Sequence, residues 1–177
     1  RLIKERKYTP EIAIGARDII GTGTFASEYF VASKKINNFD ITLGLGWGRF
    51  SDRDIYDNPI GKINSHFYQR KYYSGGKLGG KFRLNSIFRG DKVGAFGGLI
   101  YSIDDYNLKL LVEYNSDEYR REKYFGTMPA NSPVNYGIQW QPFSNLSLGL
   151  NYKYGEQVSL SLASTLKTNY IPKRKKL

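Results

Sequence analysis

Phe39-Asp40-Ile41-Thr42-Leu43-Gly44-Leu45-Gly46-Trp47-Gly48-Arg49-Phe50 is the stretch whose reading decides the fold. Side chains alternate between the two faces of a strand, so Phe39, Ile41, Leu43, Leu45 and Trp47 share one face and Asp40, Thr42, Gly44, Gly46 and Gly48 the other. A greasy outside against a small, polar inside, finished with aromatics, is the pattern of a transmembrane strand in a closed β-barrel.

Working outward, the same period recurs. Strands are expected at 11–18, 24–34, 39–48, 93–102, 107–116, 134–141, 146–154 and 157–168. The second is read with Phe25, Tyr29 and Val31 on one face and Ala26, Glu28, Phe30 and Lys34 on the other. In the later strands Leu108, Leu110, Val112 and Tyr114 oppose Lys109, Leu111, Glu113 and Asn115, and Leu146, Leu148, Leu150, Tyr152 and Tyr154 oppose Ser147, Gly149, Asn151 and Lys153. The barrel reading places Phe39, Leu43, Leu45, Trp47, Leu148, Leu150 and Tyr152 away from the axis. Connections at 35–38, 103–106 and 142–145 are short and share one end. Those at the other end include the long polar stretches 51–92 and 117–133. Short turns at one rim and long loops at the other match the periplasmic and extracellular sides of an outer-membrane barrel.

Composition agrees with this class. The chain has 177 residues, 15 Tyr, 10 Phe and 19 Gly, enough for one domain of strands and tight turns. No apolar run approaches the roughly 20 residues of a spanning helix, which leaves barrel strands untouched as a possibility. The absence of cysteine removes disulfides, thiolate metal sites and a thiol nucleophile. A formal charge of +11 points to an acidic partner. The organisation expected is a basic arm or linker at 1–9, an all-β, antiparallel up-and-down barrel module of about eight strands at 10–170 containing the long loop 51–92, and a basic tail at 171–177.

Several stretches carry a resemblance: Pro10-Glu11-Ile12-Ala13-Ile14-Gly15-Ala16-Arg17-Asp18-Ile19, Gly21-Thr22-Gly23, Ser27-Glu28-Tyr29-Phe30-Val31-Ala32-Ser33-Lys34, the 40–48 strand, Phe88-Arg89-Gly90 with Phe96-Gly97-Gly98, Glu113-Tyr114-Asn115-Ser116-Asp117 with Tyr119, Ser132-Pro133-Val134-Asn135-Tyr136-Gly137, and Tyr154-Gly155. Together they resemble the YjbH-type family of Gram-negative outer-membrane proteins, whose genes accompany exopolysaccharide and capsule export. The resemblance implies outer-membrane localisation and a part in polysaccharide export or assembly. Expected partners are outer-membrane lipid, lipopolysaccharide, acidic polysaccharide, other export proteins and further domains of the same protein. Family members are longer and begin as lipoproteins at a cysteine, so the chain is expected to be one barrel module of a larger protein. The tail ends in Lys-Lys-Leu rather than the aromatic of a terminating barrel, with Tyr170 as the candidate for that part.

Chemistry-bearing groups are sparse. Gly44-Leu45-Gly46-Trp47-Gly48 and Gly21-Thr22-Gly23-Thr24 lie within a strand and a hairpin turn, whereas a dinucleotide fingerprint needs glycines between a strand and a helix. Asp52, Asp54, Asp57 and Asn58 lack the spacing of a calcium loop, and His66 is the single histidine. No metal or cofactor is expected, and nucleic acid meets no groove-reading element. Arg17, Glu28, Lys109 and Glu113 are read as an inward network, since inward charges in a small barrel pair with each other. Glycan cleavage by Glu28 and Glu113 is the enzymatic alternative, and a soluble barrel holding an apolar ligand is another. The leading reading is non-enzymatic. In the long loop, Arg70, Lys71, Tyr72, Tyr73, Lys77, Lys81 and Arg83 combine cations with rings that stack on sugars, as a contact for an acidic glycan or lipopolysaccharide phosphates. Eight strands leave an interior about filled by side chains, so a polymer pore would need further strands.

Overall fold

A computed structural model describes residues 1–21, 23–53, 56–71, 81–82, 84–128 and 130–165. The strands are β1 Glu11–Arg17, β2 Ile20–Gly21, β3 Ser27–Ile36, β4 Phe39–Gly48, β5 Tyr56–Asp57, β6 Lys81–Phe82, β7 Lys92–Ile103, β8 Leu108–Tyr114, β9 Val134–Phe143, β10 Leu146–Lys153 and β11 Gln157–Ser164, with two one-turn helices, α1 Pro59–Ile63 and α2 Arg120–Tyr124. A nine-stranded antiparallel sheet has the order β1-β3-β4-β7-β8-β9-β10-β11, with β5 added against β7, while β2 pairs β6 apart from it. The long strands are thus an up-and-down meander, in the chain order that alternation predicts. Turns at Asn37-Asn38, Asp104–Asn107 and Ser144-Asn145 occupy one end, and Asn37 and Asn107 take the left-handed conformation that tight reversals require.

Closure, however, does not match expectation. β1 and β11 are the two edges of the sheet and do not pair with each other among the described residues. The edge of β1 is already occupied by the N-terminal arm: Leu2 and Ile3 N–H donate to the Ile12 carbonyl at 2.8 and 3.1 Å, and Ile12 N–H returns to the Ile3 carbonyl at 3.0 Å. Glu5 anchors the arm further, accepting from the Lys35 N–H at 3.0 Å and pairing with Lys34. The basic stretch 1–9, read from sequence as an arm or linker, thus lies against β1 as a short edge cover.

Cross-strand partners share a face, so the register fixes which residues lie together. One row runs Ile36, Phe39, Tyr101, Leu110, Ile138, Leu150, Leu160, and its neighbour runs Ile41, Leu99, Val112, Tyr136, Tyr152, Val158. This face is apolar and open: Leu43 is 66% exposed, Trp140 47% and Leu160 83%. The opposite face is concave, since Arg17 of β1 and Glu113 of β8 line one cavity across the strands between them. Its polar and small residues include Ser33, bonded to Thr42 at 2.9 Å, and Gln139, bonded to Ser147 at 3.1 Å. Rings lie over glycines here. Tyr29 covers its cross-strand partner Gly15, Phe96 covers Gly44 and Phe50 covers Gly46, leaving no room for a Cβ at any of the three.

β3 reverses its expected register. Phe30, Ala32 and Ile36 take the apolar face together with Glu28, while Tyr29, Val31 and Ser33 face the concave side. Gly15, the partner of Tyr29 on β1, gives its ring space that exists only on the concave face. Lys81–Phe82 of the long loop pairs Ile20–Gly21, and residues 72–80 of that loop lie outside the described set.

Two glycines of β7 separate crowding from composition. A Cβ at Gly94 would collide with the Phe50 carbonyl oxygen, a backbone atom, whereas one at Gly98 meets only the Val112 carbonyl oxygen at 3.5 Å. Gly94→Ala should therefore destabilise by about 3 kcal/mol, as overpacking does, and Gly98→Ala should leave the unfolding midpoint nearly unchanged. Equilibrium unfolding followed by tryptophan fluorescence compares them directly.

Candidate functional site

At the long-loop end the apolar face is covered. Glu28, Trp47 and Val93 form the last row of that face, and all three are buried. Asn58, fully buried, holds the cover in place: its Oδ1 accepts from Trp47 Nε1 at 3.0 Å and from the Ile60 N–H at 3.0 Å, capping α1, while Nδ2 donates to the carbonyls of Phe67, Phe88 and Gly90. Asn before Pro59 is a helix start with a mechanism, because the side chain caps while proline needs no partner at the first position. Phe88 meets the Trp47 ring edge-on at 5.0 Å.

Beneath this cover lies an ion pair. Arg70 forks onto Glu28, Nη1 to Oε2 at 2.7 Å and Nη2 to Oε1 at 3.1 Å, with both side chains nearly excluded from water. Remaining guanidinium protons go to the carbonyls of Ser86, Arg89 and Ala26, and the Phe88 N–H adds a third bond to Glu28. A planar fork meeting a carboxylate, with both terminal nitrogens bonded further to backbone carbonyls, is the geometry in which a buried charge pair is tolerated.

Across the strand end, Arg49 organises a second cluster. Its guanidinium pairs with Asp117 and with Glu122 at 2.7 Å, and it lies over the rings of Phe25 and Tyr119 at 5.0 and 5.2 Å. The receiving loop is self-bonded: Asn115 Oδ1 accepts from the Asp117 N–H at 3.0 Å, Asp117 Oδ1 from the Tyr119 N–H at 2.8 Å, and Asn115 Nδ2 donates to the Tyr119 hydroxyl at 2.9 Å. Burial, helped by the neighbouring Tyr154 hydroxyl, pushes the Tyr119 phenol up, so it stays neutral. Arg120 lies near Asp52 and bonds Glu118, tying α2 to the segment after β4. Burial pushes the Asp52 carboxyl up from its usual range while Arg120 pulls the other way.

Two cavities result. One, of about 380 Å³, opens at the rim among Arg49, Arg70, Lys71, Lys92, Arg120 and Arg121, with Asp52 and Asp91. Its cations are largely engaged: Arg49 and Arg70 as above, and Lys92 on Asp57 at 2.7 Å. The other, of about 590 Å³, is on the concave face and is lined by Arg17, Phe25, Phe50, Phe96, Glu113 and Glu122 among others.

The sequence-derived residues divide sharply. Arg17, Lys109 and Glu113 share the concave face, and no ion pair joins them; Glu113 has a 3.5 Å contact from Asn135. Glu28 is not with them, because β3 turns it to the apolar side, where it meets Arg70. Arg70 in turn is buried structure rather than an exposed glycan contact. Glu28 and Glu113 lie on opposite faces of the sheet and so cannot flank one scissile bond. Lys71 is exposed and lines the rim cavity. Lys81 takes part through its backbone in β6, and Tyr72, Tyr73, Lys77 and Arg83 lie outside the described residues. Trp47 has the face expected of it but is covered. Asp57 and Asn58 are occupied by Lys92 and the cover, and among the described residues no cluster of acidic or histidine side chains could hold a metal. Arg49, Asp117, Glu122 and Tyr119 escaped the sequence reading as a cluster, since nothing local signals a bond between residues 68 positions apart.

The family model described as "Exopolysaccharide biosynthesis protein YbjH" matches residues 1–176. A curated relative, the "Uncharacterized lipoprotein YjbH" of Escherichia coli (strain K12), is 33% identical over 172 residues, which is 96% of this chain and 24% of the relative. The chain thus spans about a quarter of that relative's length. No solved structure matches it.

The buried pair makes a testable claim. Removing one partner strands a charge, so Arg70→Met should cost about 3–5 kcal/mol and shift Trp47 emission to the red as the cover lifts. Adding Glu28→Leu should recover most of that loss. Unfolding curves of the two variants, with Trp140→Phe to isolate Trp47, provide the measurement.

Proposed function

The chain belongs to the YjbH family, and from that premise we propose that it is a barrel-forming module of an outer-membrane protein that assists export or assembly of exopolysaccharide without catalysing a reaction. The observation that carries the membrane part is the open apolar face, continuous from β1 to β11 and free of charge except at Lys34 and the covered Glu28. Water would penalise so large an apolar surface, whereas hydrocarbon would not. Aromatics flank it: Phe39, Tyr101, Trp140 and Phe143 toward the short turns, Tyr114, Tyr136 and Tyr152 toward the long loops, in the manner of interfacial girdles. No described helix is long and apolar enough to cross a membrane, which says nothing of strands.

A membrane-spanning sheet must have no free edge, because unpaired backbone groups in hydrocarbon cost several kcal/mol each. Closure therefore needs β11 to meet β1 after the arm is displaced, or needs strands from elsewhere in the longer protein. A greasy ligand on the concave face is disfavoured by the charges of Arg17, Glu113 and Glu122 among its rings. The role in export rests on the family description, and the lipoprotein name of the relative agrees with a membrane address. Glycan cleavage by the paired carboxylates loses its geometry once Glu28 and Glu113 face opposite ways.

Two tryptophans make the membrane reading measurable. After reconstitution of the full-length protein carrying Trp47→Phe, with tryptophans outside this module replaced, lipids brominated along the acyl chain should quench Trp140 strongly. In the Trp140→Phe counterpart, Trp47, only 4% exposed, should be quenched weakly. Absence of quenching at Trp140 would overturn the proposal. Incubation with the secreted polymer should release no reducing ends, and their appearance would restore an enzymatic role.

A further inference from the structure

We propose that the concave-face cavity is a binding site for an uncharged pyranose unit of a polysaccharide. This rests on the export reading above and adds to it a ligand class and an address. At about 590 Å³ the cavity falls in the range of small-ligand pockets, roughly 300–1,000 Å³. Its walls are of two kinds. Phe50 and Phe96, with ring centroids 5.4 Å apart, and Phe25 offer apolar rings of the sort on which the C–H faces of a sugar lie.

Between the rings stand polar groups with capacity to spare. Arg17 lies over the Phe50 ring at 6.0 Å and has no ion-pair partner among the described residues. Among the described residues Glu113 has only the 3.5 Å contact from Asn135. Glu122 gives one oxygen to Arg49, while its Oε2 is buried and without a hydrogen-bond partner among the described residues. A buried acceptor left unpaired costs about 1–3 kcal/mol, and a donor that reaches it recovers that loss. Sugar hydroxyls are such donors, and they accept from a guanidinium equally well.

Charge balance selects among sugars. Two cations, Arg17 and Arg49, face three carboxylates, Glu113, Asp117 and Glu122, so the cavity lining carries an excess of negative charge. A polyanion gains little from that, in contrast to the acidic glycan expected from the loop cations. The site therefore suits hydroxyl recognition.

The probe is the set of oligosaccharides released by partial hydrolysis of the polymer secreted by the source strain, titrated calorimetrically onto the full-length protein in detergent. Gly98→Phe should fill the cavity floor, since a Cβ there meets only the Val112 carbonyl oxygen at 3.5 Å. It and Arg17→Ala should each weaken binding tenfold or more. Lys109→Ala, on the same face and outside the cavity, should leave binding unchanged. Affinity should hold between low and high salt, because hydroxyl contacts are not screened as charge pairs are. Undiminished binding in Gly98→Phe, or a steep loss with salt, would place the sugar elsewhere and overturn the proposal. No binding by the unaltered protein, with lipid quenching of Trp140 intact, would overturn this site while leaving the membrane reading standing. Binding without such quenching would do the reverse.

Discussion

A carboxylate on the greasy side of the sheet is the constraint around which the long-loop end is built. Glu28 falls on that side because the Tyr29 ring takes the space over Gly15 on the other. An ionised carboxylate left among apolar groups is costly enough that it must be paired or neutralised. The chain supplies Arg70 from 42 residues away. Bringing it there obliges the intervening segment to fold down over the end of the strands, and Trp47, Phe88 and Asn58 lock it at that position. The register of one strand therefore decides where a loop goes.

The wall and the rim obey different physics, and they differ in how far the sequence reveals them. Along the wall, period-two alternation is enough: the eight meander strands stand where it puts them, because each side chain is judged by its own face. It fails at β3, where Ser27-Glu28-Tyr29-Phe30-Val31 presents bulky groups on both faces and the choice rests with Gly15 on the neighbouring strand. In the rim, Glu28–Arg70 and Arg49–Asp117 are joined only by the finished fold. Asn58-Pro59 is the exception, a local helix-start signal within a stretch otherwise read as loop.

The stretches behind the family resemblance acquire a physical meaning in this light. Phe88-Arg89-Gly90 supplies carbonyls to Asn58 and Arg70, and Asn115-Ser116-Asp117 with Tyr119 forms the self-bonded turn that receives Arg49. Asn135, in the Ser132–Gly137 stretch, accepts from the Tyr154 N–H at 2.8 Å and holds the β10–β11 turn to β9. They are fastenings of the rim. Phe88, Tyr119 and Tyr154, all at this end, adopt left-handed backbone angles that bulky residues seldom take. Packing against Trp47, Arg49 and one another offsets that strain.

The arm laid along β1 bears on how an open sheet edge is kept from other chains. A bare strand edge in water is a template on which a second molecule can grow, and edge covering is a common defence against fibre formation. Here the cover is held by a few backbone bonds around Ile12 and by ion pairs at the surface, far fewer links than the seven-residue register between β1 and β3. A cover so lightly attached acts as a placeholder. It keeps a stranger from pairing with β1 in passing, yet yields to any strand long enough to match the whole edge. The edge is thus guarded without being sealed.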